Sequence, residues 1–233
     1  MVLVKGKYFL LLTCDIPDES TDEFDDVLGI DLGIVSIATD SGGQSFSGSA
    51  IKQSRQWYTK RRAVLQSIGT KSAKRRLKKL SGRQKLFQRG SNHCISKSIV
   101  LKAKATSRAI SMENLKGISK QVRKEEKRLR QTQRAKHSNW SFDQLKQFVS
   151  YKSQLYGVTL TTIDPRNTSR TCYMCGHCEK ANRRSQAEFI SRSCFHSDLA
   201  DVNAAKNIKV LGRQSTGLWS ATSSLVDGQA PAL

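Results

Sequence analysis

Hydrophobic and polar positions alternate near the start of the chain in a way that predicts a sheet. Residues 7–15 and 27–33 are predicted strands, separated by an acidic loop over 16–26. A further strand at 34–40 is followed by Ser41-Gly-Gly43, which suits a hairpin turn, and by a return strand at 44–47. These segments predict the opening of a mixed sheet.

Apolar residues change to helical spacing after residue 50. Two polar helices are predicted at 52–80 and 82–108, and they are expected to pack antiparallel. The elements predicted next are a strand at 109–115, a charged segment at 119–136 that is either an exposed helix or a mobile loop, a helix capped by Ser141 that runs to 156, and a strand at 159–163. A helix at 200–211 closes the pattern, and the tail at 212–233 is predicted to be disordered. The alternation of strands and helices predicts an α/β fold.

The distribution of charge indicates a polyanionic partner. The 233 residues include 40 Lys and Arg against 19 Asp and Glu, a formal net charge of +21, and residues 41–111 contain no acidic side chain. Such a charge favours nucleic acid, because neutralising phosphates releases their counterions. The alternative is a solvated helical face or a ribosomal-type tail. The basic residues expected to contact nucleic acid are Arg61, Arg62, Lys74, Arg75, Arg76, Lys78 and Lys79.

Three further features of the sequence indicate where in the cell the protein is located. The longest apolar run, at residues 8–12, is too short to cross a bilayer, and the first residues lack the apolar core of a signal peptide. The six cysteines are not spaced like a secreted disulfide framework. The sequence therefore predicts a cytoplasmic protein with no membrane partner.

Cysteines are concentrated in the last third of the chain. Cys172 and Cys175 are separated by two residues, and Cys178 and Cys194 follow. A two-residue spacing brings both sulfurs to the same side of a tight turn, where thiolates can bind one tetrahedral zinc ion. The alternative is a set of buried or free thiols.

Three acids occupy positions that suit a metal site. Asp31 lies in an apolar strand, Glu113 ends another, and Asp201 opens the last helix. Each acid also has a structural interpretation when taken singly: Asp31 as a turn former, Glu113 as a charge on an edge strand and Asp201 as a helix cap. Taken together, they can converge on magnesium, which prefers oxygen ligands, and two such ions can clamp the attacking and leaving oxygens of a phosphodiester.

Five segments in order resemble the TnpB (OrfB) proteins of insertion sequences: 29–33, 91–100, 112–118, 164–172 and 200–205. The resemblance implies a RuvC-like, RNase H-type nuclease fold with an inserted zinc ribbon, related to the nucleases of type V CRISPR systems. It also implies RNA-guided cleavage of DNA directed by a transposon-derived RNA. Asp31, Glu113 and Asp201 match the catalytic acids, with Asp31 expected to bridge two magnesium ions.

The family has a longer N-terminal half that grips the guide RNA, so the resemblance also implies that this chain is N-terminally truncated. The domains expected are a remnant barrel strand and acidic linker at 1–26, a nuclease domain at 27–165 with a basic helical insertion at 51–108, a zinc-ribbon-like insertion at 166–199, a closing helix at 200–211 and a disordered tail at 212–233.

The ribbon departs from the family pattern at one position. Ser191 stands where the family has a thiolate, so three matched sulfurs remain: Cys172, Cys175 and Cys194. A fourth ligand could come from His196, Cys178 or His177, or the site could be empty. Two rival functions follow: a catalytically decayed DNA-binding accessory protein, and a structural zinc-ribbon RNA binder.

Overall fold

A five-stranded mixed sheet organises the computed structural model, which describes residues 1–4, 6–10, 23–33, 35–114 and 142–218. Its strands are β3 (Asp26–Asp31), β4 (Ser36–Asp40), β5 (Ser45–Ser47), β6 (Arg108–Glu113) and β7 (Leu160–Ile163). Their order is β5-β4-β3-β6-β7. The β3, β4 and β5 strands form an antiparallel meander, whereas β6 and β7 run parallel to β3. The predicted mixed sheet is thus confirmed.

Four helices accompany this sheet: α1 (Ser49–Ile68), α2 (Lys71–Ala105), α3 (Phe142–Leu155) and α4 (Ala200–Ser215). Strand side chains alternate between two faces. On one face, Leu28 and Ile30 join a buried core with Ile99 of α2 and Val149 of α3. None of the described helices has the length and apolar character needed to cross a membrane.

The opposite face of the sheet packs against α4. A Cβ on Gly29 of β3 would collide with the carbonyl oxygen of Ala205 and lie 2.5 Å from the backbone nitrogen of Lys209. A Cβ on Gly212 would lie 2.5 Å from the Cβ of Ser111. Glycine at both positions therefore permits a close approach of helix and sheet.

The break between the first two helices was predicted near residue 81, and this position is wrong. The turn lies at Gly69, which has a φ of 67°, and Thr70 then caps α2 by accepting a hydrogen bond from the backbone N–H of Ala73. Gly82 lies inside α2, where a Cβ would meet open space. The two helices pack side by side, and Arg62 Nη2 donates a hydrogen bond of 2.8 Å to Gln84 Oε1.

Near both ends of the chain, the observed strand and helix boundaries differ from the predicted ones. The first strand ends at Phe9: β2 (Lys7–Phe9) pairs with β1 (Val2–Val4) in a separate hairpin. The prediction of disorder from residue 212 is wrong for 212–215, because close packing of Gly212 on the sheet carries α4 to Ser215. Residues 11–22, the charged segment at 119–136, Ser141 and residues 219–233 lie outside the described residues.

A small lobe between β7 and α4 carries the cysteines. Its regular elements are a 3₁₀ turn at Lys180–Asn182 and the antiparallel pair β8 (Glu188–Ile190) and β9 (Ser197–Leu199). Phe189 and Cys172 are fully buried and form a small separate core with Ala200. The lobe is called the ribbon below.

Candidate active site and metal centre

Asp31 and Glu113 lie side by side at the carboxyl ends of adjacent strands. The register of β3 and β6 pairs Ile30 with Met112, so the next residue of each strand is one of the two acids. By strand alternation, Asp31 lies on the same face as Gly29, which is the face that α4 covers. Parallel strand pairing thus brings together two carboxylates that are 82 positions apart in the sequence.

Asp201 reaches the same edge from α4. It lies in the first turn of the helix, where the helix dipole favours a negative side chain. The glycine contact at Gly29 holds α4 close to β3, and Asp201 interacts electrostatically with Asp31 as a result. The structure therefore brings all three acids of the predicted set to one end of the sheet.

All three carboxyl groups have raised pKa values. Burial, together with the charges of Glu113 and Asp201, raises the pKa of Asp31 to about 7 from its ordinary value of 3.8. Burial also raises the pKa of Glu113 and of Asp201. A divalent cation would relieve this repulsion, and carboxylate oxygens are the donors that a hard cation prefers. The residues present therefore fit such an ion.

Thr168 and Arg183 are among the residues that contact these acids, and the sequence did not single them out. Thr168 Oγ1 donates a buried hydrogen bond of 2.6 Å to Glu113 Oε1, which opposes the rise of the glutamate pKa. Arg183 Nη2 lies 3.5 Å from Asp201 Oδ1, and its positive charge opposes the rise that burial causes in the pKa of Asp201 and Asp31. Thr168 lies inside the 164–172 motif, whereas nothing in the sequence distinguishes Arg183 from other basic residues.

Arg183 and Thr168 belong to the ribbon. Amide side chains of α4 form hydrogen bonds with the backbone of this lobe. Asn207 Nδ2 donates to the carbonyl oxygens of Thr168 and Thr171, at 2.8 and 2.6 Å. Asn203 Nδ2 donates to the carbonyl of Thr171 at 2.8 Å. Because α4 also carries Asp201, these bonds fix the ribbon relative to the acids.

The three matched cysteines form the second cluster. The sulfur atoms of Cys172, Cys175 and Cys194 all lie within 4.8 Å of one another, and this is the only His, Cys, Asp and Glu cluster of that compactness among the described residues. Hydrogen bonds, chiefly from the backbone of His177, lower the pKa of the Cys175 thiol to about 6, which favours the thiolate form that metals bind. Soft sulfur donors in this number suit a zinc-type ion.

The candidate fourth ligands lie elsewhere among the described residues. His196 Nε2 lies 3.8 Å from Asp198, and its ring packs edge-on against Tyr173. Cys178 is exposed, and His177 lies beside Glu179 at 3.8 Å. Neither histidine nor Cys178 joins the compact cluster.

The predicted nucleic-acid contacts lie on the hairpin formed by α1 and α2. Arg62 is partly buried by its bond to Gln84, and the remaining six side chains are exposed. The structure thus presents a basic surface on the side chains Arg61, Lys74, Arg75, Arg76, Lys78 and Lys79.

Known proteins resemble this chain over most of its length. Residues 12–119 match a family described as a probable transposase, and residues 142–208 match the Cas12f1-like TNB domain. The CRISPR-associated endodeoxyribonuclease Cas12f1 of Syntrophomonas palmitatica is 28% identical over 227 residues, which cover 89% of this chain and 44% of that protein. A TnpB-like protein of Methanocaldococcus jannaschii is 30% identical over 129 residues, covering 54% of this chain and 45% of that protein.

A solved structure has the same fold. One chain of the cryo-EM structure of the Cas12f1-sgRNA-target DNA complex matches with a TM-score of 0.62 at 23% identity, covering 85% of this chain and 52% of that chain. The sheet and its helices therefore form a RuvC-like, RNase H-type fold. The sequence matches to the probable transposase family and to the TnpB-like protein support the predicted resemblance to the TnpB (OrfB) family. The chain spans about half the length of the curated relatives it matches.

Proposed function

We propose that this chain carries the DNA-cleaving part of a transposon-associated, RNA-guided endonuclease. The observation that carries the proposal is the convergence of Asp31, Glu113 and Asp201 at one end of a RuvC-like sheet, with a pKa of about 7 at Asp31. In this proposal residues 27–165 and 200–215 form the nuclease domain, and 166–199 form the ribbon.

The acids would hold divalent cations, with magnesium the ion expected. Asp31, whose pKa is raised by both other carboxylates, would hold these cations together with Glu113 and Asp201. When bound, such ions supply Lewis-acid stabilisation to the attacking and leaving oxygens of a phosphodiester. Thr168 orients Glu113 through its short hydrogen bond, so that one carboxylate oxygen is fixed before any ion arrives.

Arg183 supplies positive charge at the same site. Its guanidinium, 3.5 Å from Asp201, is close enough to the acids to contact a phosphate that they engage. Guanidinium groups bind phosphate through paired hydrogen bonds, so Arg183 is the side chain we expect to align the scissile strand.

The nucleic acid would lie along the basic surface of α1 and α2. Residues 41–111 contain no acidic side chain, so no carboxylate of this stretch would repel the phosphates. The Cas12f1 chain of similar fold was solved with sgRNA and target DNA, and this supports DNA and a guide RNA as partners. Sequence-independent phosphate contact is the expected mode.

The three clustered cysteines would bind one zinc ion in the ribbon. The ion would link the two cysteine-bearing turns of the ribbon, whose own buried core is small. Stabilising the fold of such a lobe is the usual role of structural zinc. Its effect on the nuclease site would be indirect, since the ribbon holds Arg183 beside Asp201.

Cleavage of labelled single-stranded DNA by the purified chain tests the nuclease proposal. We expect magnesium-dependent cleavage, and we expect Asp31→Ala to lower its rate more than about a hundredfold. Loss of a residue that binds the metal should cost at least as much as loss of a residue that only contacts a metal ligand. Asp164→Ala is the matched control, because that side chain is 63% exposed and is paired with Arg166. Equal cleavage by wild type and Asp31→Ala would overturn the assignment. DNA binding without any cleavage would favour the non-catalytic accessory role.

A further inference from the structure

The first turn of the ribbon has the backbone geometry of a metal-binding knuckle. The backbone N–H of Cys172 donates to the carbonyl of His177 at 3.0 Å, and that of Gly176 donates back to the carbonyl of Cys172 at 2.9 Å. Gly176 adopts a φ of 72°, which closes the turn. The Cys172 sulfur accepts hydrogen bonds from the backbone of Met174 and Cys175, two and three residues later.

The second turn repeats this geometry, with Ser191 in the place of Cys172. The backbone N–H of Ser191 donates to the carbonyl of His196 at 2.9 Å, and that of Phe195 donates to the carbonyl of Ser191 at 3.1 Å. Phe195 has a φ of 58°, like the glycine of the first turn. The Ser191 hydroxyl oxygen accepts from the backbone of Ser193 and Cys194, again two and three residues later, at 3.3 Å each.

The side-chain distances fit a tetrahedron with one oxygen vertex. Metal–sulfur bonds of about 2.3 Å give a tetrahedral edge of about 3.8 Å, and a metal–oxygen bond of about 2.1 Å gives a sulfur–oxygen edge of about 3.6 Å. The sulfurs of Cys172 and Cys194 are 3.7 Å apart. The Cys175 sulfur and the Ser191 oxygen are 3.6 Å apart. These two pairs correspond to opposite edges of a tetrahedron.

Burial places the serine oxygen in the cluster and away from solvent. Ser191 has no exposed surface, whereas the neighbouring Ser193 is exposed. We propose that Ser191 Oγ is the fourth donor of a three-sulfur, one-oxygen site for a single zinc-type cation. The proposal rests on the zinc centre proposed above and replaces His196 and Cys178 as the fourth ligand.

An oxygen donor changes the expected metal affinity. A serine hydroxyl is a harder and weaker ligand than a thiolate, so the site should bind soft cations less tightly than a four-cysteine site. The knuckle backbone is already in place, so Ser191→Cys should complete a four-sulfur site without rearrangement. We expect this variant to bind at least about ten times more tightly.

Cobalt titration of the metal-stripped full chain under reducing conditions tests the proposal, because tetrahedral cobalt reports its donors in its visible spectrum. Wild type should bind one cobalt ion. Ser191→Ala should bind more weakly with shifted bands, and Ser191→Cys should bind more tightly with stronger sulfur-to-cobalt absorption. Ser193→Ala, the matched control, should behave as wild type. Zinc competition then ranks the affinities.

Two results would overturn the assignment of Ser191. One is a Ser191→Ala variant with the wild-type spectrum and affinity, and the other is a Ser191→Cys variant that binds no more tightly than wild type. If Ser191→Ala does not fold, the gain in Ser191→Cys still decides the question. Absence of cobalt binding in every variant would remove the metal centre altogether. DNA cleavage is not measured, so failure of the nuclease proposal leaves this result unaffected.

Discussion

Asp31→Asn removes a charge that the metal-free fold tolerates poorly, while keeping the shape of the side chain. The pKa of Asp31 is about 7 in the folded chain and 3.8 ordinarily. Each pKa unit corresponds to about 1.4 kcal/mol, so the ionised carboxylate costs the fold up to about 4 kcal/mol. Because Asp31 keeps partial contact with solvent, we expect Asp31→Asn to raise the free energy of unfolding by about 2–4 kcal/mol at pH 8.

The pH dependence has a defined sign. Between pH 3.8 and about 7 the folded chain holds a proton on Asp31 that the unfolded chain has lost. The free energy of unfolding therefore falls as the pH rises through that window, and the loss is complete above it. The gain from Asp31→Asn should thus be small near pH 4 and largest at pH 8.

Thermal unfolding in magnesium-free buffer measures the effect. For a chain of this size, about 2–4 kcal/mol corresponds to a rise in Tm of roughly 5–15 °C. Added magnesium should stabilise wild type more than Asp31→Asn, because a cation bound by the folded state shifts the equilibrium towards it. Asp164→Asn, at an exposed acid, should leave Tm unchanged. A Tm gain that is absent at pH 8, or equal at pH 4 and pH 8, would refute the electrostatic reasoning.

Three other substitutions test separate contacts. Thr168→Val removes the hydrogen bond to Glu113 and should lower the rate of DNA cleavage about tenfold, whereas Thr168→Ser should keep the rate of wild type. Equal rates in wild type and both variants would contradict a positioning role for Thr168. Phe195→Gly should raise the free energy of unfolding by about 1 kcal/mol in urea, because a φ of 58° strains a side chain that is 78% exposed. Gly29→Ala should destabilise the fold by about 3 kcal/mol or more in the same assay, since its Cβ collides with the backbone of Ala205; a neutral effect would show that α4 lies farther from β3.

Sequence patterns predicted the features that depend on local periodicity. Asp31 and Glu113 each end a strand of mainly apolar residues, and parallel pairing makes the two acids neighbours. Asp201 was predicted at the start of a helix, where the structure places it. That these acids face the same side of the sheet follows from alternation along each strand.

Other features depend on contacts between distant residues and could not be predicted in this way. The helix break was predicted near residue 81, whereas the turn lies at Gly69, which has a left-handed backbone conformation and is followed by the cap at Thr70. Arg183 looked like any other basic residue until the ribbon packed on α4 and brought it to Asp201. Ser191 looked like a lost ligand, yet its hydroxyl lies at the place of a sulfur.

The close packing of α4 on Gly29 has a consequence for the order in which the chain is made. The acids at positions 31, 113 and 201 leave the ribosome in that order, and the basic hairpin of α1 and α2 emerges well before the last of them. A nascent or prematurely released chain lacking α4 therefore presents the basic side chains without the full set of carboxylates. Synthesis therefore delays the assembly of the proposed cleavage site until α4 covers the sheet, and under that proposal incomplete chains are expected to bind nucleic acid without cleaving it.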